Sequence, residues 1–296
     1  MEKRRPVLSS CLLTLLVLVF LVGLSLITFT WWEKGSLWFA KDKVGVIEIK
    51  GLITKSLPVL KNLRQFAEAD HIKAIVVRID SPGGAVGPSQ EIMREIERTR
   101  KKKKVVASLG TVAASGGYYV ACAADVIFAN PGTATGSIGV IIKLVNVENL
   151  VKKLGVDFYS IQAGELKDLG SPFRPITPKE RAVLQSLLDS IHQQFIADVA
   201  RNRKLPLEKV KKLADGRIFT GQKAKELGLV DEMGNFQDAV EKAGRLGGIK
   251  GKVETVFPEK KRFSLLSFIL GREVEESLAS LAFPYPEPAF LPPWFR

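Results

Sequence analysis

A chain of 296 residues has room for one large domain or two modest ones, with a sizeable core in either case. Apolar residues make up 46% and charged residues 25%, an ordinary globular mixture that excludes a wholly disordered chain. A net charge of +13 would suit nucleic acid, but the one dense basic run, RTRKKKK at residues 98–104, has no interleaved aromatic residues to stack on bases. We read that run as a solvated helix end and turn, and expect no nucleic-acid partner.

The N-terminus differs in kind. After the basic tip at residues 1–5, nothing from Pro6 to Trp32 is charged, and a helix of that length crosses a hydrocarbon core of about 30 Å. Trp31 and Trp32 close the stretch like an interfacial belt. A cleaved signal peptide would have a shorter apolar region ending in a small-x-small site, and Gly23-Leu24-Ser25 is the one such pattern nearby. The expectation is an uncleaved transmembrane anchor at 6–32, followed by a linker at 33–43. Lys3, Arg4 and Arg5 precede the span, while Glu33 and Lys34 cancel after it, so the N-terminus stays cytoplasmic and the remainder faces outward. Cys11 lies within the span and cannot pair with Cys122, so no disulfide framework is expected.

Beyond the linker, strand and helix signals alternate. KVGVIEIKG reads as a strand, SLPVLKNLRQFAEAD as a helix and IKAIVVRID as a buried strand. A Gly-rich turn, SPGGAVG, then leads into the amphipathic PSQEIMREIERTRKK and a further buried strand, KVVASLG. This order implies a largely parallel sheet with helices on its faces, an α/β fold. After the serine of TVAASGGYYVACAAD, short apolar runs are broken by Pro131-Gly132 and Gly136. TPKERAVLQSLLDSIHQQFIADVARNRKL is the clearest helix, with Thr177 as N-cap, Pro178 at the first position and Glu180 three after the cap. Three shorter helices follow in PLEKVKKLADG, TGQKAKELGLVDEMG and NFQDAVEKAGRLGG. The tail at 257–296 combines an amphipathic stretch with the proline-rich PYPEPAFLPPWFR, which reads as extended. Its apolar side chains suit a membrane, a neighbouring subunit or the protein's own groove.

Few residues carry metal or histidine chemistry. His71 and His192 are the only histidines and no zinc spacing is present, so a Ser-His-Asp triad is poorly supported and no cofactor or metal is expected. SPGGAVG lacks the G-x-G-x-x-G pattern and a P-loop lysine, yet a Gly-Gly corner before a helix offers backbone N–H groups to a developing oxyanion. With Ser115 and the amide of Gly116, that makes half of an acyl-transfer site. The missing part is a base, and lysine leads once histidine is set aside. A lysine in that role needs its proton affinity lowered by roughly three pH units from about 10.4. Lys143, Lys152, Lys153 and Lys167 are candidates that spacing alone does not separate.

Five motifs occur in one order: RIDSPGGAVGPSQEI, ASGGYYVACAAD, TGSIGVI, GELKDLGSPFRP and DGRIFTGQKAKELGLVDE. Together they resemble the bacterial signal peptide peptidase A family of membrane-anchored serine peptidases, over about Val44 to Ala243. The resemblance implies a crotonase/Clp-like fold with repeated β-β-α units, here one peptidase domain at 44–256. It also implies a Ser/Lys dyad of Ser115 as nucleophile and Lys167 as general base, with Ser137 orienting the lysine and the N–H groups of Gly84 and Gly116 holding the oxyanion. Short-form members of the family assemble into rings, often octamers, whose dyads span neighbouring chains.

The expected function is therefore an endopeptidase of the bacterial inner membrane, single-pass, with its catalytic domain on the extracytoplasmic side. It would degrade cleaved signal peptides and other hydrophobic peptides. Two rivals share the fold: a stomatin-directed membrane peptidase, and a crotonase-like acyl-CoA enzyme or non-catalytic scaffold. Glu165 and Asp168 flank Lys167 and oppose a neutral lysine, so both must point away if the dyad is to work.

Overall fold

The computed structural model describes residues 16–25, 41–258 and 289–290. They belong to two compact units, Met1–Asp42 and Lys43–Arg296. In the first, residues 16–25 are helical, with large apolar side chains such as Phe20 exposed. Among the described residues no helix is long and apolar enough to cross a membrane. The rest of the anchor expected at 6–32, the basic tip and most of the tail lie outside them.

The second unit is built on a mixed α/β sheet. Strands β1 (Lys43–Ile53), β2 (Ile72–Ala85) and β3 (Lys104–Ala114) run parallel and are joined by helices α1 (Leu57–Glu68) and α2 (Val86–Thr99). After β3 come α3 (Gly116–Ala121), β4 (Val126–Ala129), β5 (Ala134–Gly136), α4 (Glu148–Lys153) and the 26-residue α5 (Pro178–Arg203). The chain continues through α6 (Leu207–Leu213), β6 (Ile218–Thr220), α7 (Gly221–Leu227), β7 (Glu232–Met233), α8 (Phe236–Leu246) and β8 (Glu254–Val256). A last short strand, β9 (Ala289–Phe290), completes the described elements. The sheet path is β6-β5-β3-β2-β1-β8, with β4 against β3 and β7, and β9 against β2.

Period-two alternation divides the core between the two faces. Val46, Val76 and Val106 point to one side and pack with Ala239, Val240 and Ala243 of α8. Their neighbours Ile47, Ile75, Val77 and Val105 point to the other, against Leu63, Ile92, Met93 and Ile96 of α1 and α2. This near-continuous apolar run is what a parallel strand covered on both faces requires.

The strands are longer than their sequence signals. IKAIVVRID and SPGGA form one strand, with no intervening turn before α2. The two strands expected in each β-β-α unit are halves of one bent strand. The pairing register slips between Lys50 and Leu52 in β1 and between Ile79 and Ser81 in β2. In β3 the first half pairs with β4 and the second with β5. Polar side chains replace the ladder at the bends: Asp80 Oδ1 accepts from the Val112 N–H at 3.0 Å, and Thr135 Oγ1 donates to the Ala113 carbonyl at 2.7 Å. The bends bring the second halves, and the corners after them, into a common region.

Candidate active site

Ser115 stands at the corner where β3 gives way to α3. Its backbone has φ 52° and ψ −116°, a conformation that L side chains rarely adopt. The corner is held on both sides: the Ser115 N–H donates to the Gly136 carbonyl, and the Ser115 carbonyl accepts from the Tyr119 N–H, each at 2.8 Å. A strained residue between a strand and a short helix is also the backbone setting of a nucleophile elbow. Ser115 is fully buried, and its Oγ has no hydrogen-bond partner.

Ser137 is placed beside it by sheet register. Ala114 of β3 pairs with Gly136 of β5, so the next residue of each strand leaves the sheet at the same level. Ser137 also has positive φ, 49°, and its N–H donates to the Arg217 carbonyl at 2.8 Å. Its side chain lines a cavity of about 370 Å³ shared with Val140, Leu188, His192 and Asp215. His192 Nε2 is buried and unpartnered there, whereas His71 precedes β2 and its carbonyl accepts from the Lys43 N–H.

The glycines of the two motifs serve close packing. A Cβ on Gly84 would lie 2.3 Å from the Ile53 carbonyl oxygen, and one on Gly117 would lie 2.6 Å from that of Ser81. The first contact seats β2 on β1, and the second seats α3 on the SPGG segment. Ser81 secures the segment, donating to the Gly51 carbonyl at 2.6 Å and accepting from the Gly83 N–H at 3.1 Å. Gly116 opens α3, where first-turn N–H groups have no partner within the helix. Two of these backbone positions, Gly84 and Ala85, pair antiparallel with Phe290 and Ala289, so this edge accepts an extended chain.

Lys167 stands apart from that cluster. It lies exposed in a turn at 164–170, its N–H bonded to the Gly164 carbonyl, and no hydrogen bond joins it to Ser115 or Ser137. The flanking carboxylates are engaged elsewhere: Asp168 accepts from Arg174 at 3.0 Å and from Ser160 at 3.2 Å, and Glu165 accepts from Lys179 at 2.6 Å. The segment that leads into this turn is rich in exposed apolar side chains. Leu150, Leu154, Val156, Phe158, Tyr159 and Ile161 are exposed, and α4 buries no residue. One described protomer thus unites Ser115, Ser137 and the glycine corners, and leaves the lysine on a separate arm.

Sequence reading passed over the polar scaffold of Asp80, Ser81, Thr133 and Thr135, and the Arg174 cluster. The signal available for the first was four polar residues interrupting apolar runs.

Residues 97–250 match peptidase family S49. A Synechocystis sp. protein, named only as a candidate protease, is 47% identical over 211 residues, covering 71% of this chain and 76% of its own. The chain belongs to peptidase family S49. An Enterococcus faecium member, named as a candidate signal peptide peptidase, is 39% identical over 183 residues, 62% of this chain and 53% of its own. Protease 4 of Salmonella typhi is 40% identical over 180 residues, 60% of this chain and 29% of its own. Membership of S49, the signal peptide peptidase A family, makes the chain a serine protease and a hydrolase.

Proposed function

We propose that this S49 peptidase is a membrane-anchored endopeptidase in which Ser115 is the nucleophile and Lys167 of a neighbouring copy is the general base. The observation that carries the reading is the Ser115 hydroxyl, fully buried on a strained corner with no partner inside its own chain. A buried hydroxyl without a hydrogen bond costs about 1–3 kcal/mol, which a positioned base would offset. The cavity beside Ser137 has room for an incoming lysine, and the apolar arm around Lys167 is the kind of surface that a second copy covers. By family resemblance the assembly is a ring, often an octamer.

In the reaction, Lys167 takes the Ser115 proton as Oγ attacks the scissile carbonyl of an extended peptide. The N–H groups of Gly84 and Gly116 stabilise the oxyanion, and Ser137 holds the lysine in line. The lysine returns the proton to the leaving amine, leaving an acyl-Ser115. It then deprotonates the water that hydrolyses the ester, freeing the acid and restoring the hydroxyl. Apolar peptides, such as signal peptide remnants, are the substrate class, bound along the Gly84–Ala85 edge. With the anchor in the bacterial inner membrane, the catalytic domain lies on its extracytoplasmic side, where such remnants accumulate.

Subunit mixing tests this. Turnover of a fluorogenic apolar peptide falls by at least about a thousandfold in both Ser115→Ala and Lys167→Ala, and co-assembly of the two inactive variants restores part of it. Activity retained by Ser115→Ala rules out the nucleophile. A mixture that stays inactive while assembled rules out a dyad shared between chains.

A further inference from the structure

The Lys167 turn is not a free loop: besides the Lys179–Glu165 pair, Arg174 ties it down. Arg174 Nε donates to Asp168 Oδ2 at 3.0 Å, and Nη2 donates to the Asp168 carbonyl at 2.8 Å. The same guanidinium meets Glu180 from both terminal nitrogens, Nη2 to Oε1 at 2.6 Å and Nη1 to Oε2 at 2.9 Å. Glu180 is the third residue of α5 and also accepts from the Thr177 N–H at 2.8 Å, closing the helix cap. Its side chain is 4% exposed, so the anchor point is fixed within the structure. A stack of Phe158 on Phe173, 3.7 Å between ring centres, holds the adjoining chain against the same cluster.

We propose that Arg174 is a positioning residue for the Lys167 base: it mounts the 164–170 turn on the start of α5 and holds the neighbouring Asp168 carboxylate in an ion pair. The inference rests on the reading of Lys167 given above. The charged groups about the turn are Glu165 and Asp168 on the turn itself, Arg174 on the segment after it, and Lys179, Glu180 and Arg181 on α5; the 158–162 segment contributes the uncharged Ser160 and Gln162, and the cavity beside Ser137 that would receive the lysine of another copy adds Asp189, His192 and Asp215, which none of the variants below alters. Each carboxylate on the turn is matched by one cation. Loss of Arg174 unbalances the set, leaving the charge next in sequence to the lysine without its cation and favouring the protonated ammonium. A lysine at 174 would keep the charge but not the fork, because an ammonium is a point donor that cannot span Asp168 and Glu180 in one plane.

The test is kcat/KM against pH on a fluorogenic apolar peptide, with assembly followed by light scattering. The full-length wild type is compared with Arg174→Gln, Arg174→Gln/Asp168→Asn, Arg174→Lys and Lys167→Ala. In Arg174→Gln the pH midpoint of kcat/KM rises by about one unit and activity below it falls about tenfold. Adding Asp168→Asn returns the midpoint to that of wild type, since the offending charge is gone, while kcat stays low because the mount is still broken. Arg174→Lys keeps the wild-type midpoint and lowers kcat. An assembled Arg174→Gln that loses activity with its midpoint unmoved overturns the inference, leaving Arg174 a purely structural role. Where Arg174→Gln does not assemble, Arg174→Lys decides: wild-type kcat, or a displaced midpoint, overturns it. Turnover in Lys167→Ala removes the base assignment itself and the inference with it. A dead Lys167→Ala beside an unmoved Arg174→Gln sinks the inference alone.

Discussion

Ser115 and Ser137 are two of three non-glycine residues with positive φ among the described residues, and both stand where a strand ends beside the other. Strain of this kind costs on the order of 1–3 kcal/mol and persists only where surrounding hydrogen bonds enforce it. Here the enforcing bonds are visible, from Ser115 to Gly136 and Tyr119 and from Ser137 to Arg217. A prediction follows for stability rather than rate. Glycine adopts the Ser115 backbone conformation without the Cβ penalty, against a smaller cost in unfolded-state entropy. Calorimetry of Ser115→Gly beside Ser115→Ala isolates the backbone effect, because neither has the hydroxyl. The glycine variant melts about 2–4 °C higher, corresponding to about 1 kcal/mol in a domain of this size. A lower midpoint for glycine would mean that the corner stores no strain. The basic run is not all solvated charge, for Lys103 Nζ donates to the Phe66 and Ala69 carbonyls at the end of α1, at 2.9 and 2.5 Å.

At the scale of elements, α5 was legible to its cap. Thr177 accepts from the Glu180 N–H, Glu180 accepts from the Thr177 N–H, and Pro178 takes the first position, as the spacing T-P-K-E implies. Helices α1, α2, α6, α7 and α8 were legible from periodicity for the same reason, since local signals set local structure. What the sequence hid were non-local facts. The bends of β1, β2 and β3 depend on which strand lies alongside, and Asp80 reads as a strand-end carboxylate until its bond to Val112 is seen. Motif order singles out Ser115 and Ser137 as candidates, whereas their side-by-side placement required the β3–β5 register. The Glu180 node could not be read from either, because its partner Arg174 reaches it only after the chain has turned. It carries a pH signature: Arg174 holds the Glu180 carboxyl at about 2, well below the ordinary range. A folded-state value below the unfolded one stabilises the fold above about pH 4.3, and that stabilisation is lost as pH falls towards 2. Thermal midpoints measured between pH 6 and 2.5 should therefore fall less steeply in Glu180→Gln than in wild type. Parallel curves would exclude the ion pair as a source of acid lability.

For the molecule as a whole, the distribution of apolar surface supports the proposed dyad between copies. The exposed apolar residues of the arm do not scatter: Leu144, Val145, Leu150, Leu154, Val156, Phe158, Tyr159 and Ile161 crowd into eighteen positions, with Tyr159 86% and Ile161 104% exposed. Isolated exposed leucines are ordinary, but a run of this density on the segment that carries the proposed base calls for a covering surface. A second copy is the economical choice, because each protomer has an unpartnered Ser115 hydroxyl and an exposed Lys167. Burial of a large apolar side chain contributes about 2 kcal/mol, so replacing Tyr159 and Ile161 together removes about 4 kcal/mol from each contact, roughly a thousandfold in its dissociation constant. Tyr159→Ser/Ile161→Ser should therefore sediment as protomers at micromolar concentration, with an unchanged far-ultraviolet circular dichroism spectrum since neither side chain packs in the core. Turnover should vanish with assembly and return as concentration is raised, rising more steeply than in proportion to protein. An active, fully assembled double variant would remove Tyr159 and Ile161 from the interface.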